Sequence, residues 1–170
     1  MKTLLMIFTV ITWLGLTSGA SPIDVGTRIP NVGGIDQDGN HVDFRKAAST
    51  DFVLVYFYPK ADTPGCTAQA CSLRDAYMKL HDKGVRVFGV SMDSPEAQTK
   101  FRAKYNLPFT LIADERAKVI EAFGVPRTFG FANRQAFLFH DGMLVWRDLK
   151  ASTKEQANDV LRVLEHLQHQ

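Results

Sequence analysis

The chain has 170 residues, of which 45% are apolar and 22% are charged. This length fits one domain and is too short for two well-packed ones, and the composition excludes an intrinsically disordered protein. The formal net charge of +2 is too close to zero for a typical nucleic-acid-binding or strongly basic membrane-binding protein. The two cysteines, Cys66 and Cys71, are too few for a disulfide-rich scaffold or for a zinc site built from thiolates alone.

The first 20 residues have the pattern of a secretory signal peptide. Lys2 supplies one positive charge, residues 4–16 carry none, and Ser18 and Ala20 place small side chains where a signal peptidase reads them. A membrane-spanning helix needs about 20 apolar residues, which is more than this run contains. We therefore expect cleavage after Ala20, no stable membrane association afterwards, and export to the periplasm or another secretory space. Such spaces are oxidising, so a nearby pair of thiols tends to close there.

The remaining residues, 21–170, are expected to form a single domain in which strands and helices alternate. Asp38-Gly39-Asn40 predicts a hairpin turn, and the apolar run Phe52–Tyr58 predicts a strand covered on both faces. The predicted strands are Val32–Ile35, His41–Phe44, Phe52–Tyr58, Val85–Ser91, Thr110–Ala113, Gln135–His140 and Met143–Asp148. The predicted helices cover residues 64–83, 94–105, 117–123 and 152–167. This order predicts a three-layer α/β fold with a central mixed sheet, flanking helices and an N-terminal hairpin.

The segment from Pro59 to Cys66 is the candidate site, because sites in such sheets form where a strand ends and a helix begins. Thr63 is placed to cap the following helix and Pro64 to occupy its first position, so Cys66 falls in the first turn. Unpaired backbone N–H groups and the positive end of the helix dipole favour the nucleophilic thiolate there. The helix end alone is not clearly sufficient, so we also expect an arginine from elsewhere in the fold. The alternative is that Cys66 is merely a small buried residue.

The spacing of the two cysteines constrains what they do together. On one helix, five residues correspond to about 7.5 Å of rise and a Cα separation of roughly 8–9 Å. A disulfide tolerates a Cα separation of only about 7 Å. Either the segment is not helical and the cysteines form a structural bridge, or oxidation requires the first turns to unwind. The helical pattern favours unwinding, with one thiol oxidised first and the second closing on it.

The segment Phe57-Tyr58-Pro59-Lys60-Ala61-Asp62-Thr63-Pro64-Gly65-Cys66-Thr67, together with Cys71, resembles the active-site segment of peroxiredoxins. The cysteine spacing and the following Ser72-Leu73-Arg74-Asp75 resemble the bacterioferritin-comigratory-protein (peroxiredoxin Q) subfamily. The likeness extends from about Thr27 to the C-terminal helix. It implies a thioredoxin-like fold and the reduction of hydrogen peroxide and organic hydroperoxides, with recycling by a thioredoxin-like dithiol protein.

The resemblance also implies roles for individual residues. Cys66 would be the peroxidatic thiolate and Cys71 the resolving thiol. Thr63 would hydrogen-bond the thiolate and the peroxide, and Pro59 would limit access of solvent to the pocket. The family's arginine corresponds best to Arg134, which precedes the strand Gln135–His140, with Arg127 and Arg74 as rivals.

Other chemistry finds little support in the sequence. The histidines show no metal-ligand spacing, and no flavin, haem, nicotinamide or metal is required because sulfur carries the redox chemistry. Asp93, Asp114 and Glu115 are expected at solvated loop ends rather than in a carboxylate cluster. Two other functions stay open: a thiol–disulfide oxidoreductase or redox sensor without peroxide turnover, and a binding domain stapled by the two cysteines. We expect a monomer that does not bind nucleic acid.

Overall fold

The computed structural model of the protein describes residues 21–49 and 51–168. The expected signal peptide, residues 1–20, lies outside the described residues. The strands are β1 Gly33–Asp36, β2 His41–Asp43, β3 Phe52–Phe57, β4 Val85–Ser91, β5 Thr110–Ala113, β6 Arg127–Thr128, β7 Phe131–Ala132, β8 Gln135–His140 and β9 Met143–Asp148. The helices are α1 Phe44–Ala47, α2 Pro64–Asp75, α3 Tyr77–Asp82, α4 Pro95–Tyr105, α5 Lys118–Ala122 and α6 Gln156–Gln168.

Seven strands form one mixed sheet in the order β2-β1-β5-β4-β3-β8-β9. The centre is parallel, since β3 pairs with β4 and β4 with β5 in that sense, whereas β8 runs antiparallel to β3. The hairpins β1–β2 and β8–β9 form the two edges. The expected mixed α/β sheet with an N-terminal hairpin is therefore confirmed.

Alternate residues of β3 belong to two separate apolar cores, one on each face of the sheet. Val53, Val55 and Phe57 pack on the face covered by α1 and α5. Leu54 and Tyr56 pack on the opposite face, which is covered by α2, α3, α4 and α6. Because β3 is buried on both faces, its residues form a nearly continuous apolar run, as the sequence predicted.

Two predicted helices differ from the observed ones. The single helix expected over residues 64–83 is two helices, because Ala76 adopts φ −96° and ψ 4° and ends α2. The last helix begins at Gln156 rather than Ser152, because the Ser152 hydroxyl accepts hydrogen bonds from the backbone N–H groups of Lys154 and Glu155 and closes a turn. The short helix α1 and the small hairpin β6–β7 were not predicted.

Candidate active site

The loop between β3 and α2 is held by a buried polar network. The Asp93 carboxylate accepts hydrogen bonds from the Ala61 backbone N–H at 2.8 Å and from the Ser91 hydroxyl at 2.6 Å. Gln98 donates to the same Ser91 hydroxyl at 2.8 Å and accepts from the hydroxyl of Tyr58 at the end of β3. Asp93 is therefore not the solvated loop end expected from the sequence, since it fixes the entry to α2. Asp114 also differs, because it is buried and accepts from the Ile120 backbone N–H at 2.8 Å.

A second set of contacts ties the same loop to the end of α4. Asp62 adopts a left-handed backbone conformation with φ 59°, which aspartate tolerates better than most residues. Its carboxylate accepts from Lys104 Nζ at 2.8 Å and from the Tyr105 hydroxyl at 2.7 Å. These hydrogen bonds lower the pKa of the Asp62 carboxyl below its ordinary value. The loop is therefore anchored at two consecutive residues, Ala61 and Asp62, just before α2 begins.

Cys66 lies in the first turn of α2, and its side chain is 2% exposed. Thr63 occupies the N-cap position and Pro64 the first helical position, as predicted. The Thr63 hydroxyl accepts no hydrogen bond from the backbone of α2, however, and it donates to the Lys60 carbonyl at 2.9 Å. The predicted side-chain cap is thus wrong, and the Thr63 hydroxyl does not engage the first-turn N–H groups near Cys66.

The structure brings Arg134 to the sulfur of Cys66. Arg134 precedes β8, which starts where β3 ends because the two strands are antiparallel. Its Nη2 atom donates to Cys66 Sγ at 3.4 Å. A Cβ atom built on Gly65 would lie only 3.3 Å from the same nitrogen, so a glycine at this position leaves room for the guanidinium.

The rival arginines have other partners. Arg127 pairs with Glu121 at 3.2 Å, and both side chains are substantially exposed. Arg74 pairs with Asp75 at 2.7 Å and donates to the Tyr105 backbone carbonyl at 2.9 Å. Of the three candidates, Arg134 is the one with a hydrogen bond to Cys66.

Arg134 is itself held by the buried Gln69, which is bonded in turn to the buried Gln156, and sequence reasoning missed both glutamines. Its Nη1 atom donates to Gln69 Oε1, and Gln69 Nε2 donates to Gln156 Oε1. Both glutamine side chains are almost fully buried. Gln69 follows Cys66 by three residues and so lies on the same helix face, which is a signal the sequence contains. Gln156 has no such signal, because the packing of α6 on α2 brings it here.

Tyr56, on the α2-facing side of β3, contributes a second buried phenol beside Tyr58. Burial raises the pKa of both phenols well above the ordinary value, so both stay protonated at neutral pH. Within the part of the chain that the structure describes, the Tyr56 hydroxyl has no hydrogen-bond partner. The two phenols, which belong to the same buried cluster as Cys66, are therefore uncharged.

Cys71 lies on α2 with a partly buried side chain, and the thiols of both cysteines are free. One continuous helix carries both residues. Ideal helix geometry therefore separates their Cα atoms by roughly 8–9 Å, as expected from the sequence. The alternative of a structural bridge in a non-helical segment is not favoured by this geometry. Pro59 lies two residues after the end of β3 and is partly buried, in the loop that precedes the cysteine helix.

Neither a metal site nor a membrane-spanning helix is present in the described ranges. No group of three or more His, Cys, Asp or Glu within residues 21–49 and 51–168 could hold a metal ion. Across these same residues, every helix is too short or too polar to cross a membrane.

Comparison with known proteins places this geometry in a family. The AhpC/TSA family profile matches residues 25–147. Peroxiredoxin Bcp of Escherichia coli strain K12 is 43% identical over 146 residues, which cover 78% of this chain and 90% of that protein. Peroxidoxin BcpB of Mycobacterium tuberculosis superposes with a TM-score of 0.77 at 26% identity, covering 84% of this chain and 96% of that one. A Xanthomonas campestris bacterioferritin comigratory protein, studied for alkyl peroxide reduction, matches with a TM-score of 0.77 at 26% identity over 84% of this chain and 98% of that one.

These matches confirm the resemblance drawn from the residues around Cys66, including the peroxiredoxin Q subfamily and the thioredoxin-like fold. The family profile spans more than half of the chain, and the E. coli relative is similar over most of both proteins. The chain therefore belongs to the AhpC/TSA family.

Proposed function

We propose that this protein is a thiol-dependent peroxidase that reduces hydrogen peroxide and organic hydroperoxides. The observation that carries the proposal is the buried Cys66 sulfur in the first turn of α2, with Arg134 Nη2 at 3.4 Å. A helix N-terminus and a fixed positive charge both stabilise an anionic sulfur. Family membership supports the same reaction, since the E. coli relative is named a peroxiredoxin.

In the first step, the Cys66 thiolate attacks one oxygen of the hydroperoxide. An S–O bond forms and the O–O bond breaks, so sulfur is oxidised by two electrons to a sulfenic acid. The other oxygen leaves as an alkoxide or hydroxide and takes a proton, which gives an alcohol or water. The Arg134 guanidinium stabilises the negative charge on sulfur and on the departing oxygen. The Thr63 hydroxyl, which donates to the Lys60 carbonyl in this structure, turns to donate to the thiolate and the peroxide when substrate binds. Pro59 limits access of water to the sulfur.

In the second step, the Cys71 thiolate attacks the sulfenic sulfur and the hydroxyl group leaves as water. The product is an intramolecular disulfide between Cys66 and Cys71. Because both residues lie on α2, the first turns of this helix unwind before the sulfurs meet. A thioredoxin-like dithiol protein then supplies two electrons and two protons, and both thiols are restored.

Export and oligomeric state complete the proposal. The leader pattern in residues 1–20 supports cleavage after Ala20 and a periplasmic or secreted mature protein that is not anchored in a membrane. The mature protein acts as a monomer. Cell fractionation with N-terminal sequencing tests the first statement, and sedimentation equilibrium tests the second.

Single cysteine variants test the reaction itself. We expect Cys66→Ser to abolish peroxide consumption in a stopped-flow assay. Cys71→Ser should consume one equivalent of peroxide and then stop, leaving a sulfenic acid that dimedone traps and mass spectrometry locates at residue 66. Normal peroxide consumption by both variants would contradict the proposal, and exchange of disulfides without peroxide consumption would favour the oxidoreductase alternative.

A further inference from the structure

A chain of buried amides connects the start of α6 to the arginine beside Cys66. Gln156 is 1% exposed and Gln69 is 0% exposed, so neither amide has access to water. Gln156 Oε1 accepts from Gln69 Nε2, and Gln69 Oε1 accepts from Arg134 Nη1. The Nη2 atom of the same guanidinium donates to Cys66 Sγ.

The direction of these hydrogen bonds is set by which groups can donate and which can accept. A guanidinium only donates, so the Gln69 amide must turn its oxygen towards Arg134 and its nitrogen away from it. That buried nitrogen then needs an acceptor, which Gln156 provides. Within residues 21–49 and 51–168, Gln156 Nε2 has no hydrogen-bond partner of its own. A buried amide with an unpaired nitrogen is destabilising, so the fold gains little from Gln156 except its bond to Gln69.

Gln69 also lies between the two cysteines, in the part of α2 that unwinds when their disulfide forms. Unwinding therefore breaks the bond from Gln69 to Gln156. One turn further on, the Ser72 hydroxyl of α2 donates to the Lys154 carbonyl in the turn before α6 at 2.9 Å, and it accepts from the Ala157 backbone N–H of α6 at 3.4 Å. The start of α6 thus holds α2 in its helical form.

We propose that Gln156 is a positioning residue with two opposed effects. Acting through Gln69, it holds the Arg134 guanidinium against the Cys66 sulfur and so speeds the reaction with peroxide. By the same bond it restrains the unwinding of α2 and so slows formation of the Cys66–Cys71 disulfide. This inference rests on the proposed peroxidase function, but its first half concerns the reactivity of Cys66 towards any electrophile.

Gln156→Met tests the proposal, because methionine keeps the length and burial of the side chain but cannot accept the hydrogen bond. In stopped-flow experiments with hydrogen peroxide, we expect the second-order rate of Cys66 oxidation to fall by about three- to tenfold. The rate of disulfide formation, measured by alkylation quench and mass spectrometry at saturating peroxide, should rise by a similar factor. Gln156→Glu keeps an acceptor oxygen and should hold both rates within about threefold of the wild type.

Asn158→Ala is the matched control, since Asn158 lies two residues further along α6, is exposed, and bonds to Glu155 instead. We expect both rates to be unchanged in this variant. Unchanged rates in Gln156→Met, or two rates that change in the same direction, would overturn the proposal. If Gln156→Met does not fold, Gln156→Asn replaces it with the same expected outcomes, because its shorter amide does not reach Gln69.

A readout without peroxide separates this proposal from the proposed function. Alkylation of Cys66 by iodoacetamide reports the thiolate directly, and its pH profile should move to higher pH in Gln156→Met but not in Asn158→Ala. A wild-type protein that fails to consume peroxide would refute the peroxidase function, and the alkylation profile would still decide the role of Gln156. An alkylation profile unchanged by Gln156→Met would refute the positioning role whatever the peroxide result.

Discussion

Replacing Arg134 with methionine removes the charge beside the Cys66 sulfur while keeping a side chain of similar length. A hydrogen bond to a charged group contributes about 1.5–3 kcal/mol, which corresponds to roughly tenfold to 150-fold in rate. Arg134 is only partly buried, and its contact with Cys66 Sγ measures 3.4 Å. Solvent therefore screens part of the interaction, and we expect the rate of reaction with hydrogen peroxide at pH 7 to fall roughly tenfold to thirtyfold.

The assay is stopped-flow oxidation of Cys66 by hydrogen peroxide at pH 7. Arg127→Met is the matched control, because Arg127 is the rival arginine and its contact is a surface ion pair with Glu121. We expect this control to react at the wild-type rate. The reasoning would be refuted by an Arg134→Met protein that keeps the wild-type rate at pH 7, or by an equal loss in Arg127→Met.

Four further substitutions test other contacts. Gly65→Ala places a Cβ atom 3.3 Å from Arg134 Nη2, so the peroxide rate should fall severalfold while circular dichroism stays unchanged. Tyr58→Phe should lower the free energy of unfolding, measured in urea, by about 1–3 kcal/mol, because it leaves the buried Gln98 oxygen without its donor. Tyr56→Phe should leave the free energy of unfolding unchanged or raise it, because it removes a buried hydroxyl that has no partner among the described residues. Asp62→Asn should lower the melting temperature at pH 7. Because the pKa of the Asp62 carboxyl is lowered in the fold, its contribution is present above the ordinary carboxyl pKa, and the difference from wild type should vanish as acid protonates Asp62. A difference that persists in acid would contradict this assignment.

Much of the architecture was predictable because the sequence signals are local. The run Phe52–Phe57 is apolar on both sides since both faces of β3 are covered. Ser94 caps α4 with its own hydroxyl, which accepts a hydrogen bond from the Ala97 backbone N–H at 3.3 Å. The site was predictable for the same reason, since Pro64 and Cys66 are fixed by their positions in one helix turn. Arg134 was found through a family resemblance rather than through any local pattern.

Other features depend on contacts between distant segments and leave no local trace. The break at Ala76 contains neither glycine nor proline, and the neighbouring Arg74 is held there by the Tyr105 carbonyl of another helix. The role of Asp93 depends on a hydrogen bond to Ala61, 32 residues earlier. Thr63 has the residue type of a helix cap, but its hydroxyl donates a hydrogen bond to the Lys60 carbonyl in the preceding loop.

The antiparallel pairing of β3 with β8 has a consequence for a polypeptide that has not finished folding. Cys66 follows β3 and Arg134 precedes β8, and they meet only when Phe57 stands opposite Gln135 in the assembled sheet. A slip of one residue would turn every β8 side chain to the wrong face and displace the arginine. A newly made polypeptide in which β3 and β8 have not yet paired therefore lacks the guanidinium beside the Cys66 sulfur. In the proposed function, rapid oxidation of the Cys66 sulfur is therefore acquired together with the native state, and its rate reports whether the sheet has assembled correctly.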